Sequence, residues 1–365
     1  MAIKSITVVN VMAFQTQWRV NNSNIQGDRF KTGDTLSEAF RLDFCDGINI
    51  IMGENGMGKT SLLKMIYAAT QWSIEQTHPG KTQKFINFFS DTLKDTDLLK
   101  NREKPGAQSY FEVSDGAHKF RYGLYPAGIL NFDEWLGLDI SSVFIPTTEM
   151  LSHADGFLAL NEKYHLPFDG TQVDIVINAS LPEAKKIPDY MESVLERISQ
   201  AIGGTVVMED GRFLVQKRDG EKIDFSLEAE GLRKLGLLWK LIRNGLLEKG
   251  TILLWDEPEA NLNPELFSLV VDILFELQKA GVQIFIATHS YNLAKYFEIR
   301  RNEERQVLYH NLFKAESEIP DGFDWMTKED VSMTICSHSA MYLSELPHNK
   351  VIDADEKFLD EAMKK

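Results

Sequence analysis

The stretch Gly53–Ser61, GENGMGKTS, follows the apolar run INIIM and leads into a helical pattern. Gly53, Gly58, Lys59 and Thr60 have the spacing G-x-x-x-x-G-K-[ST] of a phosphate-binding loop. Small residues let main-chain N–H groups wrap a β-phosphate without Cβ clashes, and Glu54, Asn55, Gly56 and Met57 complete that wrap. Lys59 brings positive charge to the β/γ oxygens, Thr60 offers a hydroxyl to Mg²⁺, and Ser61 continues the new helix. The positive end of that helix faces the phosphates. Leu62, Met65, Ile66 and Ala69 recur at i, i+3, i+4 and i+7, so a helix is expected from Lys59.

A phosphate loop needs an acid for the metal and a group to orient the attacking water. TILLWDEPEANLNP carries both: an apolar strand ends in Asp256, expected to hold Mg²⁺ directly or through water, and Glu257, expected to polarise the water. IFIATHS places His289 directly after another apolar strand, where an imidazole can hydrogen-bond the γ-phosphate or the attacking water.

Around these motifs the chain alternates strand and helix. Residues 3–11 and 40–52 read as strands, 20–37 as a polar loop, 109–125 as a hairpin turning at Asp115-Gly116, and 141–146 as a buried strand. Residues 147–202 are mostly helical, broken near Pro167 and Pro182. Strands with turns at Asp210-Gly211 and Asp219-Gly220 fill 204–227. A helix with Leu235, Leu238, Trp239 and Ile242 on one face precedes strand 251–255, a helix over 264–279, strand 282–288 and a short helix from 291. This order predicts an α/β fold with a central, mostly parallel sheet, an antiparallel β subdomain and an inserted helical lobe. Residues 73–106 are polar and hard to place, and the end of the chain, from Val351, reads as a short amphipathic helix.

The 365 residues are 43% hydrophobic and 25% charged, an ordinary globular balance. No apolar run reaches a membrane-spanning length and the N-terminus lacks a signal-peptide pattern, so no membrane association is expected. A net charge of −15 argues against coating nucleic acid, although a local basic groove stays open, with Lys185, Lys186, Lys217 and Arg218 as candidates. Two distant cysteines, Cys45 and Cys336, fit a reducing cytoplasm rather than a disulfide framework. Cys336–His338 and the Asp353–Asp355 pair lack the further ligands or strand context of a metal site.

GENGMGKTS, WDEPEANLNP and IATHS, in that order, make the chain resemble ABC-type, AAA-annotated ATPases of the RecF- and OLD-like branch. SLEAEGLRKLGLLWKLI is similar to that branch's signature helix, and TTEMLSHADGFLALNEKY to a segment of small bacterial ATPases of this kind. The resemblance implies a P-loop ATPase core in 1–72 and 204–312, an inserted β-hairpin and helical lobe in 73–203, and an extension of open role in 313–365. It implies a head-to-tail homodimer with two ATP–Mg²⁺ at the interface, each touching one protomer's phosphate loop and the other's signature helix. Glu259–Pro264 matches the D-loop that crosses such an interface.

Two departures stand out. Aligned on Gly231, the signature has Ala229 where the family has serine, leaving main-chain N–H groups at the helix start, helped by Arg233, to make the contact in trans. The usual glutamine after the lobe-joining strand is missing. Glu149 is the candidate replacement as metal-water ligand, the alternative being a surface carboxylate that caps the following helix. Phe14 and Phe40 are candidates for adenine stacking, with a core position the favoured reading. No nuclease, Toprim or HNH constellation is present, so an ATP switch acting on a separate effector such as a nuclease is expected. This resembles the ATPase subunits of anti-phage systems such as Septu and PARIS. The alternative is a DNA-repair ATPase of the RecF kind.

Overall fold

The computed structural model describes residues 1–14, 17–18, 36–37, 39–74, 88–89, 99, 109–125, 127–131, 134–302, 306–314 and 335–363. The loop expected over 20–37 and the stretch 73–106 lie almost wholly outside them.

The strands in chain order are β1 (Ser5–Val9), β2 (Gln17–Trp18), β3 (Leu36–Ser37), β4 (Phe40–Asp43), β5 (Ile48–Gly53), β6 (Ser109–Ser114), β7 (Lys119–Tyr125), β8 (Ala127–Asn131), β9 (Ser142–Ile145), β10 (Gly204–Glu209), β11 (Arg212–Lys217), β12 (Lys222–Asp224), β13 (Ile252–Asp256), β14 (Gln283–Thr288), β15 (Val307–Lys314) and β16 (Ile335–Ala340). The helices are α1 (Lys59–Ile74), α2 (Phe157–Tyr164), α3 (Gly170–Ser180), α4 (Asp189–Ile202), α5 (Glu230–Arg243), α6 (Phe267–Lys279), α7 (Tyr291–Arg300) and α8 (Lys350–Met363).

Six strands form the central sheet in the order β16-β15-β5-β14-β13-β9. All neighbours are parallel except β16, which runs antiparallel to β15. Strand ends of one sense therefore share one edge of the sheet, and the loops after β5, β9, β13 and β14 meet there.

Successive side chains of these strands enter two different cores, as a period of two requires. Ile48, Ile50, Met52, Leu253, Trp255, Ile284 and Ile286 face α3 to α7. Ile51, Ile252, Leu254, Phe285 and Ala287 face α1 and a second, antiparallel sheet, β4-β1-β6-β7-β8. Burial on both faces explains why the sequence of these strands is continuously apolar rather than alternating.

The strand expected over 40–52 is two strands in two sheets. β4 alternates buried and exposed residues, whereas β5 is buried throughout. Between them Gly47 packs so closely on β15's approach that a Cβ would stand 2.5 Å from the Gln306 carbonyl oxygen. Polar side chains bind the two sheets: Gln283 bonds both main-chain groups of Ile3 and the carbonyl of Cys45, and Asn49 bonds the N–H and C=O of Cys45.

β9 lies within the 73–203 range expected for the lobe, and β16 within the extension 313–365, yet each is an edge strand of the central sheet. The rest of the helical lobe is locally well specified. Asp169 and Gln172 form a capping box at the start of α3, and Gly203 ends α4 in the left-handed region. The lobe is tied to α1 by Lys64 Nζ–Asp169 Oδ2 at 2.7 Å and by Tyr67 Oη donating to Asp174 Oδ2 at 2.9 Å. From Lys234 to Ile242 helix α5 is buried on every side, more than the single face expected. It packs against α4 and β10.

Candidate functional site

The loop from Gly53 to Gly58 owes its shape to glycines at special backbone angles. Gly53, at φ +144°, ends β5 so near β15 that a Cβ would stand 2.5 Å from the Leu312 oxygen. Gly58, at φ +82°, leaves room for Phe14, whose ring a Cβ would meet at 2.6 Å. Phe14 and Phe40 are both fully buried, their ring centroids 4.5 Å apart, so they wall the loop from within the core. Met57 is also buried, while Glu54, Asn55 and Gly56 face solvent.

The Lys59 ammonium lies inside the loop, donating to the carbonyls of Gly53 at 2.7 Å and Glu54 at 2.9 Å. Burial pushes its pKa down, and the charges of Glu257, Asp256, Glu259 and Glu54 oppose the shift. Thr60, the first turn's hydroxyl, donates to Asp256 with both carboxylate oxygens at 3.0 Å. Asp256 ends β13 and is only 5% exposed. Burial pushes its carboxyl up, against the donations of Thr147 and Thr60.

The side chain beside Asp256 is that of Thr147, not the expected Glu149. Its hydroxyl donates to Asp256 Oδ2 at 2.9 Å from the loop after β9. Glu149 turns elsewhere. Its carboxylate accepts from the N–H groups of Leu151 and Ser152 and pairs with Arg233 Nε at 3.2 Å. Its carboxylate thus holds the start of the 3-10 turn Leu151–His153, from a buried position rather than the expected surface one. The available signal was position: Thr147 stands two residues beyond the strand end, the same side as the other site residues.

Glu257 adopts φ +49°, a left-handed conformation unusual for a side-chain-bearing residue. Its N–H donates to the Ala287 carbonyl at 2.9 Å, and Oε1 lies 3.2 Å from His289 Nδ1. Glu259 braces the same loops. Its Oε1 accepts from Thr288 Oγ1 at 2.5 Å and from the His289 N–H at 3.1 Å. Ser290 then caps α7 by accepting from the Leu293 N–H. His289 is thus held through its backbone while its ring stays 47% exposed.

Gly53–Ser61, Asp256, Glu257 and His289, remote along the chain, therefore converge on one edge of the sheet. Ala229 and Gly231 lie at the start of α5, where it meets the loop after β13. Ala229 precedes the helix without a side-chain cap, and Gly231 packs so that a Cβ would lie 2.8 Å from the Asn261 oxygen. Arg233 is engaged within the chain, with Glu149 and, through Nη1 at 3.2 Å, with the Ser226 carbonyl.

Thr60 and Asp256 suit a small divalent cation. Both are hard oxygen donors, and a cation beside Asp256 would offset the cost of a buried carboxylate. Among the described residues no group of three or more His, Cys, Asp and Glu could hold a metal, and no helix is long and apolar enough to cross a membrane.

A family model described as "AAA domain, putative AbiEii toxin, Type IV TA system" matches residues 142–295, from β9 into α7. The arginine transport ATP-binding protein ArtP of Haemophilus influenzae is 46% identical over 54 residues, 15% of this chain and 22% of that protein. The L-cystine import ATP-binding protein TcyN of Bacillus subtilis is 28% identical over 177 residues, 43% of this chain and 66% of that protein. The chain thus matches less than two thirds of the length of either relative. Among solved structures, the SmcHead bound to the C-winged helix domain of ScpA aligns with a TM-score of 0.50 at 11% identity, covering 94% of this chain and 99% of that one. The SMC head domain from Thermotoga maritima aligns at 0.45 and 15% identity, covering 94% and 100%. The fold is that of an ABC-type P-loop ATPase, α/β with a mostly parallel central sheet and an added antiparallel sheet.

Proposed function

We propose that the protein binds ATP with Mg²⁺ at Gly53–Ser61 and hydrolyses it, using the nucleotide to close a head-to-tail homodimer that controls a separate effector. The observation that carries this is the meeting of Thr60, Asp256, Glu257 and His289 at the mouth of the phosphate loop. Lys59 would leave its two carbonyl partners for the β/γ oxygens, where phosphate compensates a buried ammonium better than neutral carbonyls do. Thr60 and Asp256 would hold Mg²⁺, which supplies charge neutralisation of the phosphates, with Thr147 orienting the carboxylate. The short reach of Thr147 makes it the better candidate for that place than Glu149, whose carboxylate already has three partners. Glu257 would take a proton from the attacking water while His289, 3.2 Å away, orients the carboxylate and reaches the γ-phosphate.

The ATP-binding relatives support the choice of nucleotide, and the uncapped start of α5 at Ala229 and Gly231 supports contact with a partner's phosphates. A place in a two-component defence or toxin–antitoxin system is supported by the description of the family matching residues 142–295, a putative toxin of a type IV toxin–antitoxin system. Single-turnover hydrolysis by wild type and Glu257→Gln tests the chemistry. The variant is expected to lose about 10²–10⁴-fold in rate while retaining ATP. With ATP–Mg²⁺ it should double in mass by light scattering. Equal rates in both proteins would remove Glu257 as base, and an unchanged mass would remove the sandwich.

A further inference from the structure

Helix α5 buries two lysines, Lys234 and Lys240. Lys240 has an acidic partner, Glu183 Oε1 at 3.3 Å. Lys234, 2% exposed, instead donates from Nζ to the main-chain carbonyl of Glu257 at 3.1 Å. An ammonium is costly to bury, and a neutral carbonyl is a modest partner for it. Burial pushes its pKa down, and four carboxylates, Glu230, Glu259, Glu257 and Asp256, oppose the shift from a distance.

The peptide it grips is the unusual one. Glu257 holds φ +49°, a conformation that persists in a residue with a Cβ only where its surroundings enforce it. Three main-chain contacts do so. The Glu257 N–H is fixed on Ala287 at 2.9 Å, and its carbonyl accepts from the Ala260 N–H at 3.1 Å and from Lys234. Release of that carbonyl would free rotation about the Glu257 N–Cα bond, which swings the Glu257 side chain away from His289. Lys234 is also one turn beyond Gly231, which abuts Asn261 and Leu262, so the first turns of α5 grip the 257–262 loop at two points.

We propose that Lys234 is a positioning residue, holding the Glu257 peptide in the left-handed conformation that aims the Glu257 carboxylate beside His289. This rests on the ATPase reading and deepens it. The start of α5 is the segment offered to the partner's nucleotide, so Lys234 joins occupancy of the partner's site to the geometry of this chain's own Glu257. It acts through Glu257 and touches no reacting atom.

The full chain is compared as wild type, Lys234→Met, Lys234→Arg and Glu257→Gln, reading kcat and KM for ATP, the Kd of a fluorescent ATP analogue, and the thermal midpoint. The expected result for Lys234→Met is a kcat at least tenfold lower, with KM and Kd within twofold and the thermal midpoint little changed. Lys234→Arg, which keeps a long charged donor, is expected to recover part of the loss. Wild-type kcat in Lys234→Met, beside an inactive Glu257→Gln, overturns this inference and leaves the ATPase reading standing. Parallel loss of kcat, Kd and thermal midpoint shows a merely structural lysine and also overturns it. A wild type without turnover, or Glu257→Gln as active as wild type, overturns both. Should Lys234→Met fail to fold, Lys234→Gln, too short to reach the carbonyl, carries the same comparison.

Discussion

Gly231→Ala adds one methyl group where α5 meets the loop after β13. The new Cβ would stand 2.8 Å from the Asn261 oxygen, 3.0 Å from Leu262 Cα and 3.1 Å from Leu262 Cδ1. Two of those three atoms belong to the backbone and cannot rotate aside. The shortest contact falls about 0.6 Å below the 3.4 Å at which ordinary contact begins, so the loop or the helix must move by that order. Overpacking of this kind costs about 1–3 kcal/mol. Alanine returns up to about 1 kcal/mol through helix propensity, since Gly231 has no left-handed backbone to lose. The net loss is therefore between about 0 and 3 kcal/mol, a shift of a few degrees in thermal midpoint. The displaced loop carries Glu257 and Glu259, and misplacement of a catalytic group by about 1 Å costs about 10²-fold. We expect ATP turnover to fall about tenfold while the midpoint moves little. Steady-state phosphate release and differential scanning fluorimetry read the two effects separately. Wild-type turnover in Gly231→Ala would refute the idea that α5 sets the position of this loop.

Two further outcomes follow from the same contacts. Thr147→Val removes a donor from the buried Asp256 carboxylate and is expected to lower Mg²⁺-dependent turnover at least tenfold. Glu149→Gln, by contrast, is expected to lower stability by about 1–3 kcal/mol through its lost pairing with Arg233, and a metal titration in which Glu149→Gln shifts more than Thr147→Val would reverse that assignment. His310 supplies a pH test: burial pushes its imidazole down to about 3, so below the ordinary value the unfolded chain binds a proton that the folded protein refuses. Its share of stability is whole above about pH 6.5 and is lost as the pH falls toward 3, at about 1.4 kcal/mol per pH unit. Urea unfolding of wild type and His310→Asn between pH 6 and 4 should differ in slope by about that amount, and identical slopes would show that the ring is protonated in the fold.

The parts of this molecule legible in its sequence are those where local chemistry and position coincide. The phosphate loop is contiguous, and each of its glycines has a backbone reason. Asp256, Glu257 and His289 follow apolar strands, and parallel strands deliver their ends to one edge. The contacts that escaped reading depend on approach between distant segments. Lys234 stands in a helix whose period gives no hint that its neighbour is the carbonyl of Glu257. Glu259 reads in sequence only as part of the D-loop match, and the register of β13 beside β14 places it under Thr288 and His289. Glu149 and Thr147 are two residues apart on one turn, and which of them faces Asp256 is a matter of side-chain direction. The split of residues 40–52 was hidden because both halves are rich in large apolar groups, although only β4 alternates. β16 closes the central sheet from a stretch whose short run, ICSHSA, is too polar to announce a strand.

The bonds from Lys64 and Tyr67 to the helical lobe have a mechanical meaning. At about 1.5 Å per residue, they grip α1 roughly 7.5 and 12 Å along its axis from Lys59. A load applied to the lobe is thus delivered as a torque on a stiff rod whose far end is the glycine cradle itself. Under the function proposed above, a partner docked on the lobe would have leverage over bound phosphates, and hydrolysis would do work in the opposite direction along the same rod.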